Sequence, residues 1–269
     1  MKRVPIIGMF ILILVVGVLP VTAITNGELD DGRHPNVGLM YALDEEGNTI
    51  WRCSGTLIAP TVFLTAGHCV EPPAVRARVW FDDDLEANTE YPDGGATSIE
   101  GEAVPHPDYN WGDSDPHDVG VVILDEPVDL PTALLPDPGL LTQLKKERVL
   151  EGGYEDGVYF KSVGYGRTLD GWPPPDLGSS PIRRVSESEY VALTKVFLHL
   201  SQKAKLEEGG SCFGDSGGPI FWTDSEGNEI IVALTSTGDA QCVATGLDYR
   251  VDVPEILEWI LDPEPEPEP

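Results

Sequence analysis

Ser216 sits in the run Gly214-Asp215-Ser216-Gly217-Gly218-Pro219, where glycines on both sides permit a tight loop. A serine hydroxyl attacks a carbonyl only when a base removes its proton, a third group orients that base, and donors face the developing oxyanion. The small residues of this loop let the N–H groups of Gly214 and Ser216 converge on one carbonyl oxygen. The candidate base is His68, at the end of Leu64-Thr65-Ala66-Gly67-His68-Cys69. The candidate orienting group is Asp118, which follows His117 at the mouth of the apolar run Val119 to Leu124. A carboxylate buried there demands a partner, and His68 can supply it. A glycine turn or an isolated histidine is often only structural, but the three segments together offer each part that acyl transfer needs.

These groups need a scaffold, and the sequence supplies short β-rich runs bounded by Gly, Asp, Asn or Ser. In the first half the runs are Val37 to Leu43, Gly55 to Ile58, Val62 to Thr65, Val75 to Phe81 and Val119 to Leu124. In the second they are Tyr159 to Gly164, Pro219 to Trp222, Glu229 to Thr235 and Leu247 to Val251. That spacing predicts an all-β barrel or sandwich. Helical periodicity is confined to Leu140 to Val149 and to the segment after Pro254, where Ile256, Leu257, Ile260 and Leu261 share a face. Leu130 to Leu150 reads as the connection between two halves, and Gly171 to Pro181 as a surface loop.

Lys2 and Arg3, an apolar run from Ile6 to Leu19 and the small-residue site Val21-Thr22-Ala23 form a secretory leader over 1–23. The run is shorter than the roughly 20 residues that span hydrocarbon. An exported chain permits disulfides. Cys53, Cys69, Cys212 and Cys242 allow three pairings, which spacing alone cannot choose between; two local bridges are the expectation, each worth about 3 to 4 kcal/mol in a chain-entropy account. No Cys-x-x-Cys pair suggests zinc, and no metal site is expected. Seventeen Lys and Arg stand against 46 Asp and Glu, a formal charge of −29 that disfavours nucleic acid and anionic membranes as partners. The acidic runs Asp82-Asp83-Asp84 and Asp113 with Asp115 offer oxygen ligands of the kind calcium takes, although solvated loops account for them too. No other cofactor is implied. The alternating Pro and Glu of 262–269 form a solvated tail.

The motifs, in the order His, Asp, Ser, resemble the trypsin and chymotrypsin family of serine endopeptidases. Ser54-Gly55-Thr56-Leu57-Ile58, Val163-Gly164-Tyr165-Gly166, and Ser236 with Gly238 before Cys242 extend the likeness over nearly the whole mature chain. The resemblance implies two six-stranded antiparallel β-barrels with the active site between them and a short C-terminal helix. It places a peptidase domain over 24–261, with barrels at about 36–130 and 150–250 and the helix at 254–261. Ser216 would be the nucleophile, His68 the general base and acid, Asp118 its orienting group, and Gly214 with Ser216 the oxyanion hole. Ile24-Thr25-Asn26-Gly27 resembles the family's activation sequence, which implies an ion pair between a new Ile24 amine and Asp215. Gly210, Phe213, Ser236, Gly238, Gly246 and Asp248 would form the primary pocket. Gly210 removes the acid that selects Arg and Lys, so an apolar or aromatic side chain is expected; Asp248 near the floor argues for a basic one. Thr237 replaces the family's usual Trp. A secreted or periplasmic monomer that hydrolyses proteins or peptides is the expectation, with a catalytically silent binding homologue as the alternative.

Overall fold

The computed structural model describes residues 27–151, 157–167, 181–203 and 209–263. The leader, Ile24, most of the stretch from Gly171 to Pro181 and the tail beyond Pro263 lie outside the described residues.

Thirteen strands and two α-helices follow in the order β1 (Glu28–Leu29), β2 (Val37–Leu43), β3 (Thr49–Ala59), β4 (Val62–Thr65), β5 (Arg76–Trp80), β6 (Ser98–Pro105), β7 (Gly120–Leu124), α1 (Leu140–Lys146), β8 (Tyr159–Gly164), β9 (Arg184–Leu193), β10 (Phe197–Ser201), β11 (Pro219–Thr223), β12 (Glu229–Gly238), β13 (Thr245–Arg250) and α2 (Pro254–Leu261). The first six-stranded barrel runs β2-β3-β4-β7-β6-β5 and closes through the antiparallel β2–β5 pairing. The second runs β9-β10-β13-β12-β11-β8, closed by β8 on β9, with β1 added to the outer edge of β9. Closure removes the unpaired strand edges that invite association. The expected architecture of two six-stranded antiparallel barrels and a C-terminal helix is the architecture observed.

Each barrel is filled by the β-branched, aliphatic and aromatic residues that define its strands. Met40, Leu57, Phe63, Val79 and Val122 pack the first, while Phe160, Leu198, Leu200, Ile220 and Val232 pack the second beneath α1. A third cluster, including Val37, Leu39, Leu64, Tyr165, Leu234 and Tyr249, joins the two. β2 is consequently buried on both faces, which is why it reads as a continuous apolar run instead of alternating. Truncating a fully buried leucine such as Leu64 costs about 2–5 kcal/mol.

A buried polar staple also crosses the barrel junction. Arg183 Nε donates to Asp30 Oδ2 at 2.8 Å, and its Nη1 donates to the carbonyls of Val37 and Phe81 at 2.9 and 3.0 Å. The Tyr165 hydroxyl donates to the Asp82 carbonyl at 2.6 Å. Burial works against the Asp30 charge, but His34 and Arg183 more than compensate and hold its carboxyl far below the ordinary carboxylate range. Removing one member of such a pair strands the other charge at a cost of about 3–5 kcal/mol.

Candidate active site

The cleft between the barrels collects Ser216, His68 and Asp118 from separate parts of the chain. His68 lies on the 3-10 turn Gly67–Cys69 that follows β4. A disulfide from Cys53 to Cys69 ties this turn to β3, and Trp51 Nε1 donates to the Cys69 carbonyl at 2.7 Å. Asp118 precedes β7 and is fully buried. Its Oδ1 accepts the His68 backbone N–H at 2.9 Å, both oxygens face His68 Nδ1 at 3.0 Å, and Oδ2 accepts the Ser236 hydroxyl at 2.6 Å. Burial would raise the Asp118 pKa, but these donors outweigh it and the group stays below its usual value. For His68, burial favours the neutral ring; the Asp118 charge reverses that, with a contribution from Glu71, and raises the pKa above the ordinary 6.5.

With Nδ1 committed to Asp118, Nε2 is the nitrogen left for proton transfer. His68 and Ser216 line the same two cavities. No hydrogen bond joins the Ser216 hydroxyl to the ring among the described residues; such contacts often tighten only once a substrate carbonyl is seated.

The loop that carries Ser216 is held from both barrels. Ser54 N donates to the Ser216 carbonyl at 2.8 Å, and Ser54 Oγ donates to the Gly214 carbonyl at 3.0 Å. Within the loop, Asp215 N reaches Cys212 O at 2.9 Å, Gly217 N reaches Thr235 O at 2.8 Å and Gly218 N reaches Asp215 O at 2.8 Å. Among the described residues, the N–H groups of Gly214 and Ser216 have no such carbonyl, so two donors remain beside the hydroxyl. Gly214 has φ of 97°, a conformation that a side chain would strain. Asp215 is buried and accepts N–H bonds from Gly166 at 2.7 Å and Cys212 at 2.9 Å. Burial pushes its carboxyl up to about 6 despite those donors and the nearby Arg52 charge.

Comparison with known proteins settles the family. The model named Trypsin matches residues 30–260. The chain belongs to the trypsin family. Serine protease 1 of Drosophila melanogaster is 29% identical over 255 residues, covering 89% of this chain and 84% of that protein. Lectizyme of Glossina austeni is 27% identical over 221 residues, covering 77% and 73% respectively. The solved structure of HL collagenase superposes with a TM-score of 0.63 over 88% of this chain and 96% of its own, at 19% identity, and shares the fold. This trypsin-family chain is a serine-type endopeptidase.

The residues named for the family's primary pocket divide into two groups. Phe213, Ser236 and Gly238 line a cavity of about 420 Å³ together with Ser211, Thr237 and Gln202. Gly210, Gly246 and Asp248 lie outside that lining. Gln202, which no motif singled out, takes the floor: its Nε2 donates to Ser211 O at 3.1 Å, and a β-carbon at Gly210 would meet its Cγ at 2.2 Å. Asp248 is 1% exposed, and both its oxygens lack a hydrogen-bond partner among the described residues. Burial raises its pKa well above the ordinary value. Ser236 has a second contact that the pocket assignment did not include, its bond to Asp118. Cys212 and Cys242 form the second bridge and brace the pocket wall, so both bridges are the local ones expected. Trp111, half exposed and edge-on to the His68 ring at 5.5 Å between centroids, is another cleft residue that sequence patterns left unmarked. The one group of metal-ligating residue types among the described residues, Cys53, His68 and Cys69, has both sulfurs in the disulfide.

Proposed function

We propose that the enzyme is a secreted endopeptidase in which Ser216 attacks the scissile carbonyl, His68 Nε2 takes the proton and returns it to the leaving amine, and Asp118 fixes the ring tautomer and stabilises the imidazolium. The observation that carries this reading is the chain of contacts from Ser236 through Asp118 to His68 Nδ1, which leaves Nε2 free on a ring that lines the same cavities as Ser216. The unspent N–H groups of Gly214 and Ser216 form the oxyanion hole, where donors of this kind lower a barrier by about 3–4 kcal/mol each. Hydrolysis then proceeds by acylation of Ser216 with loss of the amine, followed by attack of water on the ester.

The primary pocket takes an apolar or aromatic side chain. Its lining includes the neutral Gln202 amide, and burial of Asp248 behind it raises that carboxyl's pKa well above the ordinary value, which disfavours the charge a basic group would need. Export follows from the leader at 1–23 and is compatible with both disulfides; no helix among the described residues is long and apolar enough to cross a membrane. Maturation follows from the same leader: cleavage after Ala23 would expose the Ile24 amine, for which the buried Asp215 is the family's counter-charge. N-terminal sequencing of the secreted protein should return Ile24; an end elsewhere refutes that step.

A peptide-library cleavage profile tests the whole reading. Cleavage after Phe, Tyr or Leu, abolished by Ser216→Ala, is expected. Cleavage after Arg and Lys would overturn the pocket assignment, and turnover at full rate in Ser216→Ala would overturn the nucleophile.

A further inference from the structure

Two cavities meet at the catalytic cleft and share only His68, Phe213 and Ser216. The first holds the primary pocket and so takes the chain on the acyl side of the scissile bond. The second, walled by Tyr41, Trp51 and the Cys53–Cys69 bridge, is left for the segment that departs with the amine. The charges divide the same way. Glu71 and Asp239 line the first cavity, which has no Lys or Arg in its lining. Arg52 and Arg167 line the second, which has no Asp or Glu among its described lining residues. In a chain with 17 basic residues against 46 acidic ones, two guanidiniums in the lining of one cavity stand out from the overall charge.

The two arginines differ in how they are held. Arg52 Nη2 donates to the Tyr165 carbonyl, which fixes its charge at the inner wall. The guanidinium carbon of Arg167 lies 6.0 Å from the centroid of the Phe213 ring, which is half exposed at the cleft rim. A ring face that orients a guanidinium without consuming its N–H donors leaves them for a planar carboxylate, the geometry to which arginine is suited. On the opposite side, the Asp239 carboxylate is fixed by the N–H groups of Ala244 and Thr245 at 2.8 and 3.0 Å.

We propose that Arg167 forms a subsite for an acidic side chain in the first three residues after the scissile bond, so that the cleft selects substrates by charge on the leaving-group side. This inference rests on the peptidase reading of the cleft. It gives a highly acidic enzyme a means of engaging an acidic segment that its overall field would repel.

The test uses three peptides identical except for Asp, Ala or Lys at the second position after the cleaved bond. Rates are compared at 0.1 M and 1 M NaCl, together with the affinity of the same peptides for Ser216→Ala protein by fluorescence anisotropy. The expected order of kcat/KM is Asp above Ala above Lys, with about threefold at each step, the size of a partly exposed charge contact, and so about tenfold between the extremes. The spread should contract at 1 M salt, where the screening length falls to about 3 Å. Arg167→Ala should flatten the series and Arg167→Glu should invert it. Equal cleavage of all three peptides, or an order unchanged in Arg167→Glu, overturns the subsite and leaves the peptidase reading intact. Absence of cleavage with the Asp-over-Lys order retained in binding overturns the peptidase reading and leaves the subsite.

Discussion

Asp118 and Asp248 are both carboxyl groups with 0% and 1% exposure, yet their environments shift their pKa values in opposite directions. Asp118 accepts two bonds from His68, one from its backbone and one from its ring, and a third from Ser236, and it remains an anion. Asp248 has no donor among the described residues, and burial raises its pKa well above the ordinary value. Desolvation penalises the charged form at both sites, so donors decide the outcome. The contrast assigns the two halves of the chemistry. The donors that favour a carboxylate are gathered around Asp118 behind His68, and none is given to Asp248 among the described residues.

The largest effect should come from removing the charged member. Asp118→Asn should lower kcat by about 10⁴-fold with the fold intact by circular dichroism, because an amide stabilises the wrong tautomer of His68. A loss of less than tenfold would mean that Ser236 and the backbone position the ring unaided. Next in size is acidity. His68 must be neutral to act as a base, and its pKa is raised by Asp118, so kcat/KM should fall tenfold per pH unit below a midpoint that lies above 6.5. A midpoint below 6.5 would indicate that burial, not Asp118, dominates the ring.

Removing the floor of the neutral pocket tests the other side of the contrast. Gln202→Ala should let water and substrate reach Asp248, and the ratio of cleavage after Lys to cleavage after Phe should rise about tenfold, a gain that a second change, Asp248→Asn, removes. The smallest effect concerns stability. A carboxyl whose folded pKa is raised contributes most at pH below its unfolded value of about 3.9 and loses that contribution as pH climbs toward the folded value. Asp248→Asn has no such loss. The variant should melt within a degree or so of the parent at pH 3.5, and about 2–4 °C above it at pH 8, for each kcal/mol so relieved. A Tm difference that shrinks with rising pH would show that Asp248 is ionised and paired.

Most of this contrast was legible in the sequence on the side of Asp118 and little of it on the side of Asp248. The triad sits beside strongly patterned strands: β2, β4 and β8 begin and end where their apolar runs do, and β7 carries Asp118 at the mouth of an uninterrupted one. β9 gave no such signal, since its inward positions include Ser186 and Ser188, the latter bonded through Oγ to Gly209 O at 2.8 Å, so polar residues stand where apolar alternation was sought. β6 was hidden similarly, with Gly101 and two glutamates interrupting the pattern. β3 proved longer than its apolar stretch, reaching back to Thr49 through Trp51 and Arg52 because pairing with β2 extends it. Gln202 carried no motif; its role arises only when the chain after β10 passes beneath Gly210. Arg167 acquires meaning only from Phe213, 46 residues away in sequence and adjacent in space.

The central claim is that Ser216 is an activated nucleophile whose base is His68 held by Asp118. A serine-directed phosphonate, followed by intact-mass and peptide analysis, tests it directly because only an activated hydroxyl reacts at a useful rate. The account predicts a single adduct on Ser216, slowed in Asp118→Asn and absent in His68→Ala. No adduct on the folded secreted protein, or an adduct formed equally fast without His68, would contradict it.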